Sequence, residues 1–131
     1  LVDKIIDDRG EIETTKPRVI AQPIKPLIAS QLTAMLVSVA ENGLDKKAFV
    51  SGYHVAVKTG TAQIAKPGGG GYTDDTIHTI VGFAPAVNPR FAVLISLDKP
   101  QGLRFASDTL TPAFNELTKF LLNYYEIQPQ L

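Results

Sequence analysis

The chain has 131 residues, 44% hydrophobic and 20% charged, which fits one globular domain with a modest core and excludes wholesale disorder. Thirteen Lys and Arg balance thirteen Asp and Glu, so there is no electrostatic case for nucleic acid or an acidic membrane surface. The lack of Cys removes disulfides and thiolate zinc sites, and His54 and His78 have no carboxylate cluster to make a metal site with them.

No apolar run approaches the roughly 18 residues that span a bilayer, and no signal-like N-terminus is visible. The chain opens on Leu1 without a Met, which reads as a fragment or processed piece whose anchor, if it has one, lies upstream. Residues 1–15, LVDKIIDDRGEIETT, predict a charged surface hairpin turning at Asp7-Asp8-Arg9-Gly10, with Gly10 supplying a positive φ. Pro17, Pro23 and Pro26 punctuate an extended connector, since proline lacks the amide donor and biases its predecessor away from helix. Ile28, Leu32, Met35, Leu36 and Val39 recur on a 3.6-residue period and predict a helix over 27–41, ended by Asn42-Gly43 with glycine as a left-handed cap.

A strand over 53–63 then leads into VAVKTGTAQIA, followed by a flexible insertion, KPGGGGYTDD. HTIVGFAPA (78–86) and FAVLISLD (91–98) read as strands joined by a turn at Val87-Asn88-Pro89-Arg90, the second apolar enough to predict burial on both faces. A last helix, 111–125, is expected to start at Thr111-Pro112 with Thr111 or Asp108 as its cap. Phe114, Leu117, Phe120, Leu121 and Tyr124 are its expected buried stripe, and the tail after Glu126 is expected to fray. Hairpin, helix, three antiparallel strands and helix make an α+β arrangement, an antiparallel sheet packed by helices, with no internal repeat.

Chemistry concentrates at Lys58-Thr59-Gly60-Thr61. A lysine ammonium and threonine hydroxyls at a strand end make a receptor for a carboxylate, and glycine lets a ligand approach the backbone. An exposed strand edge takes up an extended peptide, and the Thr61 amide is then placed to meet a developing oxyanion. The plain alternative is a solvated strand end. A nucleophile is harder to find. Ser96-Leu97-Asp98-Lys99 has Ser-x-x-Lys spacing, but that pairing needs a helical turn and Ser96 closes a strand, so it reads as a decoy. Ser30, Ser38, Ser51 and Ser107 have no lysine three residues on, and His54 and His78 read as packing or hydrogen-bonded residues. Asp74 and Asp75 read as solvated loop residues, and the glycine run has no Gly-Lys-Ser/Thr to make it a phosphate loop.

Taken with its surroundings, the motif resembles the C-terminal half of the transpeptidase domain of class B penicillin-binding proteins, the serine D,D-transpeptidases that cross-link peptidoglycan. GYHVAVKTGTAQIA resembles the family strand bearing Lys-Thr-Gly. HTIVGFAPAVNPRFAVLISLDKPQG is similar to the next two strands, and the segment from Leu1 to Gly43 to the hairpin, connector and helix before them. The resemblance covers nearly the whole chain in order. It implies a partial penicillin-binding, β-lactamase-like fold with no metal and no cofactor.

By the same resemblance Lys58 and Thr61 are the catalytic residues present, and Thr59, Gly60 and Thr61 line the substrate. Lys58 would join the proton and hydrogen-bond network around the catalytic serine. Thr59 and Thr61 would offer hydroxyls to the carboxylate of a stem peptide or β-lactam, the Thr61 amide would be one oxyanion donor, and Gly60 would keep the acyl group unobstructed. The implied partners are peptidoglycan stem peptides, β-lactams, the missing N-terminal part of the domain and a membrane glycosyltransferase, with no nucleic acid. The implied location is the periplasmic face of the cytoplasmic membrane, through an upstream anchor. Two departures stand out: Val57 replaces the usual glycine before the lysine, and neither Ser-x-x-Lys on a helix nor Ser-x-Asn is present. In the family both lie upstream, and two further strands there pair beside residues 91–98. The 131 residues alone are therefore expected to be inactive, and unstable or oligomeric, because an apolar edge is left open. Competing readings are a serine β-lactamase or β-lactam sensor, and a non-catalytic scaffold that holds a peptide at the strand edge.

Overall fold

A computed structural model describes residues 4–16 and 18–130. The hairpin forms as expected: β1 (Lys4–Ile6) pairs antiparallel with β2 (Ile12–Thr14). Its turn is tied by Asp7 Oδ1, which accepts from the amides of Arg9 and Glu11 at 2.9 Å each, and Gly10 takes φ +80°. The part of this prediction on residues 1–3, and Pro17 in the connector, lie outside the described residues.

Helix α1 runs Pro26–Asn42, with proline in the first turn where a missing amide costs nothing. The expected left-handed cap is not there: Gly43 is extended at φ −105°. Glycine is needed for another reason, since a Cβ at Gly43 would lie 2.9 Å from the Val39 carbonyl oxygen. The predicted apolar stripe is helical in period but only its C-terminal part is covered: Leu36 and Val39 are half-buried, Val39 against the core, while Ile28, Leu32 and Met35 are exposed. Leu44–Lys46 then forms a tight left-handed turn, with φ of 51°, 50° and 58°.

Strands β3 (Ala56–Ala65), β4 (Tyr72–Ala84) and β5 (Phe91–Asp98) form an antiparallel sheet in the order β3-β4-β5. Strand β4 is longer than predicted. Gly68–Gly71, all at positive φ, close the turn between β3 and β4, so Asp74 and Asp75 fall within strand β4 and not in a loop, at a bulge where the β3–β4 register shifts. Strand β5 is where predicted but is not buried on both faces. Val93 is buried, while Leu94, pointing the other way beside the 47% exposed Val81 of the central strand, is 69% exposed, because that face of the sheet is left uncovered there among the described residues.

After a four-residue helix, α2 (Ala106–Thr109), that the sequence reading missed, α3 runs Thr111–Tyr124. Neither Thr111 nor Asp108 caps it: Leu110 is the cap residue, and Asp108 instead accepts a hydrogen bond from the Lys47 ammonium at 3.0 Å. The buried face of α3 is Thr111, Phe114, Asn115, Thr118 and Leu122, whereas Phe120 and Tyr124 from the expected stripe are exposed. Close approach explains the change. Gly82 of β4 leaves room for the Phe114 ring, whose Cζ would sit 2.5 Å from a Cβ at that position, and short threonines suit such a tight interface. Asn115 donates to the carbonyls of Lys47 and Phe49 at 3.0 and 2.8 Å.

The tail does not fray as expected. The Tyr53 hydroxyl donates to the Ile127 carbonyl at 2.7 Å, the Gln130 amide donates to Gly52 at 2.8 Å, and Ile127 packs on the core. That core joins Val55, Val57, Ile80, Val93, Leu110, Phe114 and Leu122, so one face of the sheet is covered by the C-terminal helices.

Candidate active site

The chain enters the core at Val55, just before β3, stays essentially buried through Ala56 and Val57, and emerges at Lys58. Strand β3 pairs with β4 on one side only among the described residues, so the other edge of the Lys58–Thr61 stretch has no strand partner and can pair with an extended ligand. Because strand side chains alternate, Lys58 and Gly60 share one face and Thr59 and Thr61 the other. The register sets Lys58 opposite Val81, Thr59 opposite Ile80, Gly60 opposite Thr79 and Thr61 opposite His78.

Each motif residue has a distinct setting. The exposed Lys58 ammonium folds back to donate to the Thr59 carbonyl at 2.7 Å. Gly60 is tightly placed, since a Cβ there would lie 2.6 Å from Thr79 Oγ1. The Thr61 hydroxyl oxygen accepts the Ala106 amide at 3.1 Å, so the first amide of α2 occupies an acceptor lone pair and leaves the hydroxyl proton to donate. Val57, in place of the family glycine, is fully buried against the C-terminal helices and does not touch the free edge. The chain thus brings Lys58, Thr59, Gly60 and Thr61 together inside β3, which runs on to Ala65 and does not end at the motif as expected.

The remaining candidates fall elsewhere. Ser96 lies in extended β5, so Ser96 and Lys99 lack the helical geometry of a serine–lysine pair, and Lys99 Nζ lies 3.6 Å from Asp75. His54 contacts Glu41 at 2.7 Å, and His78 is buried between Thr76 and Thr109, both hydrogen-bonded as expected. Sequence reasoning missed Ala106 as a partner of Thr61. The two are 45 positions apart, and only the unpredicted α2 brings them together.

The family profile described as Penicillin binding protein transpeptidase domain matches residues 1–119. The chain belongs to the penicillin-binding protein transpeptidase family. Within it the chain is 36% identical over 114 residues to penicillin-binding protein PbpB of Mycolicibacterium smegmatis, covering 79% of the chain and 18% of that protein. It is 35% identical over 104 residues to the peptidoglycan D,D-transpeptidase FtsI of Escherichia coli, covering 78% of the chain and again 18% of that protein. Penicillin-binding protein 3 of Mycobacterium tuberculosis, solved as a complex with ampicillin, superposes with a TM-score of 0.76 at 27% identity, over 98% of this chain and 30% of that one. The α+β fold, an antiparallel sheet packed by helices, is therefore that of part of a penicillin-binding protein transpeptidase domain. The chain spans about a fifth of the length of those two curated relatives.

Proposed function

We propose that this chain is the Lys-Thr-Gly wall of a peptidoglycan D,D-transpeptidase, and that the nucleophilic serine and its lysine come from residues other than these 131. The observation that carries this reading is the free edge of β3, with Thr61 Oγ1 held as an acceptor by Ala106 so that its proton is available to a carboxylate. In the reaction, serine Oγ bonds to the carbonyl carbon of the D-Ala-D-Ala peptide, the C–N bond breaks, and D-alanine leaves with a proton. An amine of a neighbouring stem then displaces the serine. Lys58 supplies positive charge and donors to the proton network at the serine, Thr59 and Thr61 hold the terminal carboxylate, and the Thr61 amide faces the oxyanion. β-Lactams acylate the same serine, in keeping with the ampicillin complex of the mycobacterial relative.

The same reading places the site outside the cytoplasm, on a protein anchored upstream and working beside a glycosyltransferase. Among the described residues no helix is long and apolar enough to cross a membrane, so the anchor would lie in other residues. The test is labelling of the complete protein with a fluorescent penicillin. Stable acylation is expected, with Lys58→Ala and Thr61→Ala each slowing it by about tenfold or more, the cost of a lost charge-assisted hydrogen bond. No acylation would favour a scaffold, rapid release of hydrolysed penicillin a β-lactamase, and normal labelling of both variants would sink the residue assignment.

A further inference from the structure

His78 lies fully buried directly across the β3–β4 ladder from Thr61. A neutral imidazole has one donor and one acceptor nitrogen, and burial obliges both to find partners. Nδ1 is 2.8 Å from Thr109 Oγ1, and Nε2 is 3.1 Å from Thr76 Oγ1. The Thr109 hydroxyl also makes a long, weak contact with the Ala106 carbonyl at 3.5 Å; a proton turned there leaves a lone pair for a proton on Nδ1, the arrangement adopted in assigning the ring. Nε2 then accepts from Thr76, a tautomer assigned from its partners.

The bonds form a line in one direction. Thr76 donates to His78, His78 to Thr109, and Thr109 to the carbonyl of Ala106. The amide of that same Ala106 donates to Thr61. The short α2 is thereby pinned from behind at the residue whose amide sets the Thr61 hydroxyl. We propose that His78, acting through Thr109, is a positioning residue for carboxylate recognition: it keeps the Thr61 hydroxyl proton aimed at the free edge of β3. This rests on the reading of Thr61 as a carboxylate donor.

The test compares acylation of the complete protein by a penicillin and by its methyl ester, read as the ratio of second-order rate constants. The wild type is expected to prefer the acid, and Thr61→Ala to lose that preference. His78→Leu should lower the acid-to-ester ratio about tenfold, the scale of one hydrogen bond to a charged group, whereas His78→Asn, which keeps a donor near the Nδ1 position, should restore most of it. Thr109→Val, nearly isosteric and without the hydroxyl, should lower the ratio as His78→Leu does, and it carries the test if the leucine variant does not fold. A merely structural role would slow acid and ester equally and leave the ratio unchanged, which overturns the inference. If the wild type shows no acid preference, or Thr61→Ala retains it, the underlying reading of Thr61 fails and the inference with it. If Thr61→Ala loses the preference and both His78→Leu and Thr109→Val keep it, the inference alone fails.

Discussion

Gly60→Ala separates what the motif glycine does for the sheet from what it does for a ligand. Gly60 lies outside the left-handed region, so alanine fits its backbone, and the obstacle is steric. The added Cβ would stand 2.6 Å from Thr79 Oγ1, where ordinary contact begins at 3.4 Å, a shortfall of 0.8 Å (3.4 minus 2.6) against that single atom. Thr79 must turn about χ1 and give up its weak hydrogen bond to the Gly60 carbonyl. Forced rotation costs about 0.5–1.5 kcal/mol and overpacking about 1–3, so a loss of about 2 kcal/mol is expected. At about 2–4 °C per kcal/mol for a large domain, the melting temperature of the complete protein should fall by about 4–8 °C. In a Thr79→Ala background the clash is gone, and Gly60→Ala should be neutral or slightly stabilising, because alanine restricts the unfolded chain. The double-mutant cycle should therefore show a coupling of about 2 kcal/mol. Losses that simply add would refute the steric account. If a bare backbone is also what admits the acyl group, the stable double variant should still label slowly with penicillin.

Two further tests concern the elements around α2. The hydrogen bond to Asp108 is the largest cause raising the Lys47 ammonium above its usual 10.5, with the charges of Asp108 and Asp45 adding to it. A raised folded-state pKa means the stabilisation is complete below pH 10.5 and is lost as pH climbs through the raised value. As pH is raised from neutrality, the stability gap between wild type and Lys47→Met, followed by thermal melts, should accordingly close only in that alkaline range; closure near neutrality would contradict the assignment. Asn115→Leu removes the donor to the Lys47 and Phe49 carbonyls and should cost about 2 kcal/mol in urea unfolding, with an unchanged midpoint counting against that role.

The elements set by local signals were legible. Apolar period and proline position locate α1 and the start of α3, and Lys58-Thr59-Gly60-Thr61 stands out as a candidate site by its residue types at the end of an apolar run. What depends on neighbours was not. The face of α3 was misread because the helix buries Thr111 and Thr118 and ties Asn115 to the Lys47 and Phe49 carbonyls, while Phe120 and Tyr124 stay outside. Gly43 was read as a left-handed cap, although glycine's lack of Cβ serves close packing on Val39. The partner of Thr61 was illegible for the same reason: a backbone amide 45 residues away has no sequence signature.

The open face of the sheet links solubility to activity. Lys58 pairs with Val81 and Val81 with Leu94, so the motif lysine shares a face with an apolar row in which Val81 is 47% and Leu94 69% exposed. The C-terminal helices cover the other face, so whatever supplies the serine to Lys58 would approach over this row. Burying the leucine contributes about 1.5–3 kcal/mol to holding the two parts together, whereas a lysine in its place would bury an unpaired charge. Leu94→Lys should therefore act with opposite signs in two settings. In the 131-residue chain alone it should reduce self-association, seen as a shift toward monomer in sedimentation velocity. In the complete protein it should lower both the melting temperature and the rate of penicillin labelling, although Leu94 is two strands away from the motif. A complete Leu94→Lys protein that melts and labels like wild type would show that this face stays open and that the serine reaches Lys58 by another side.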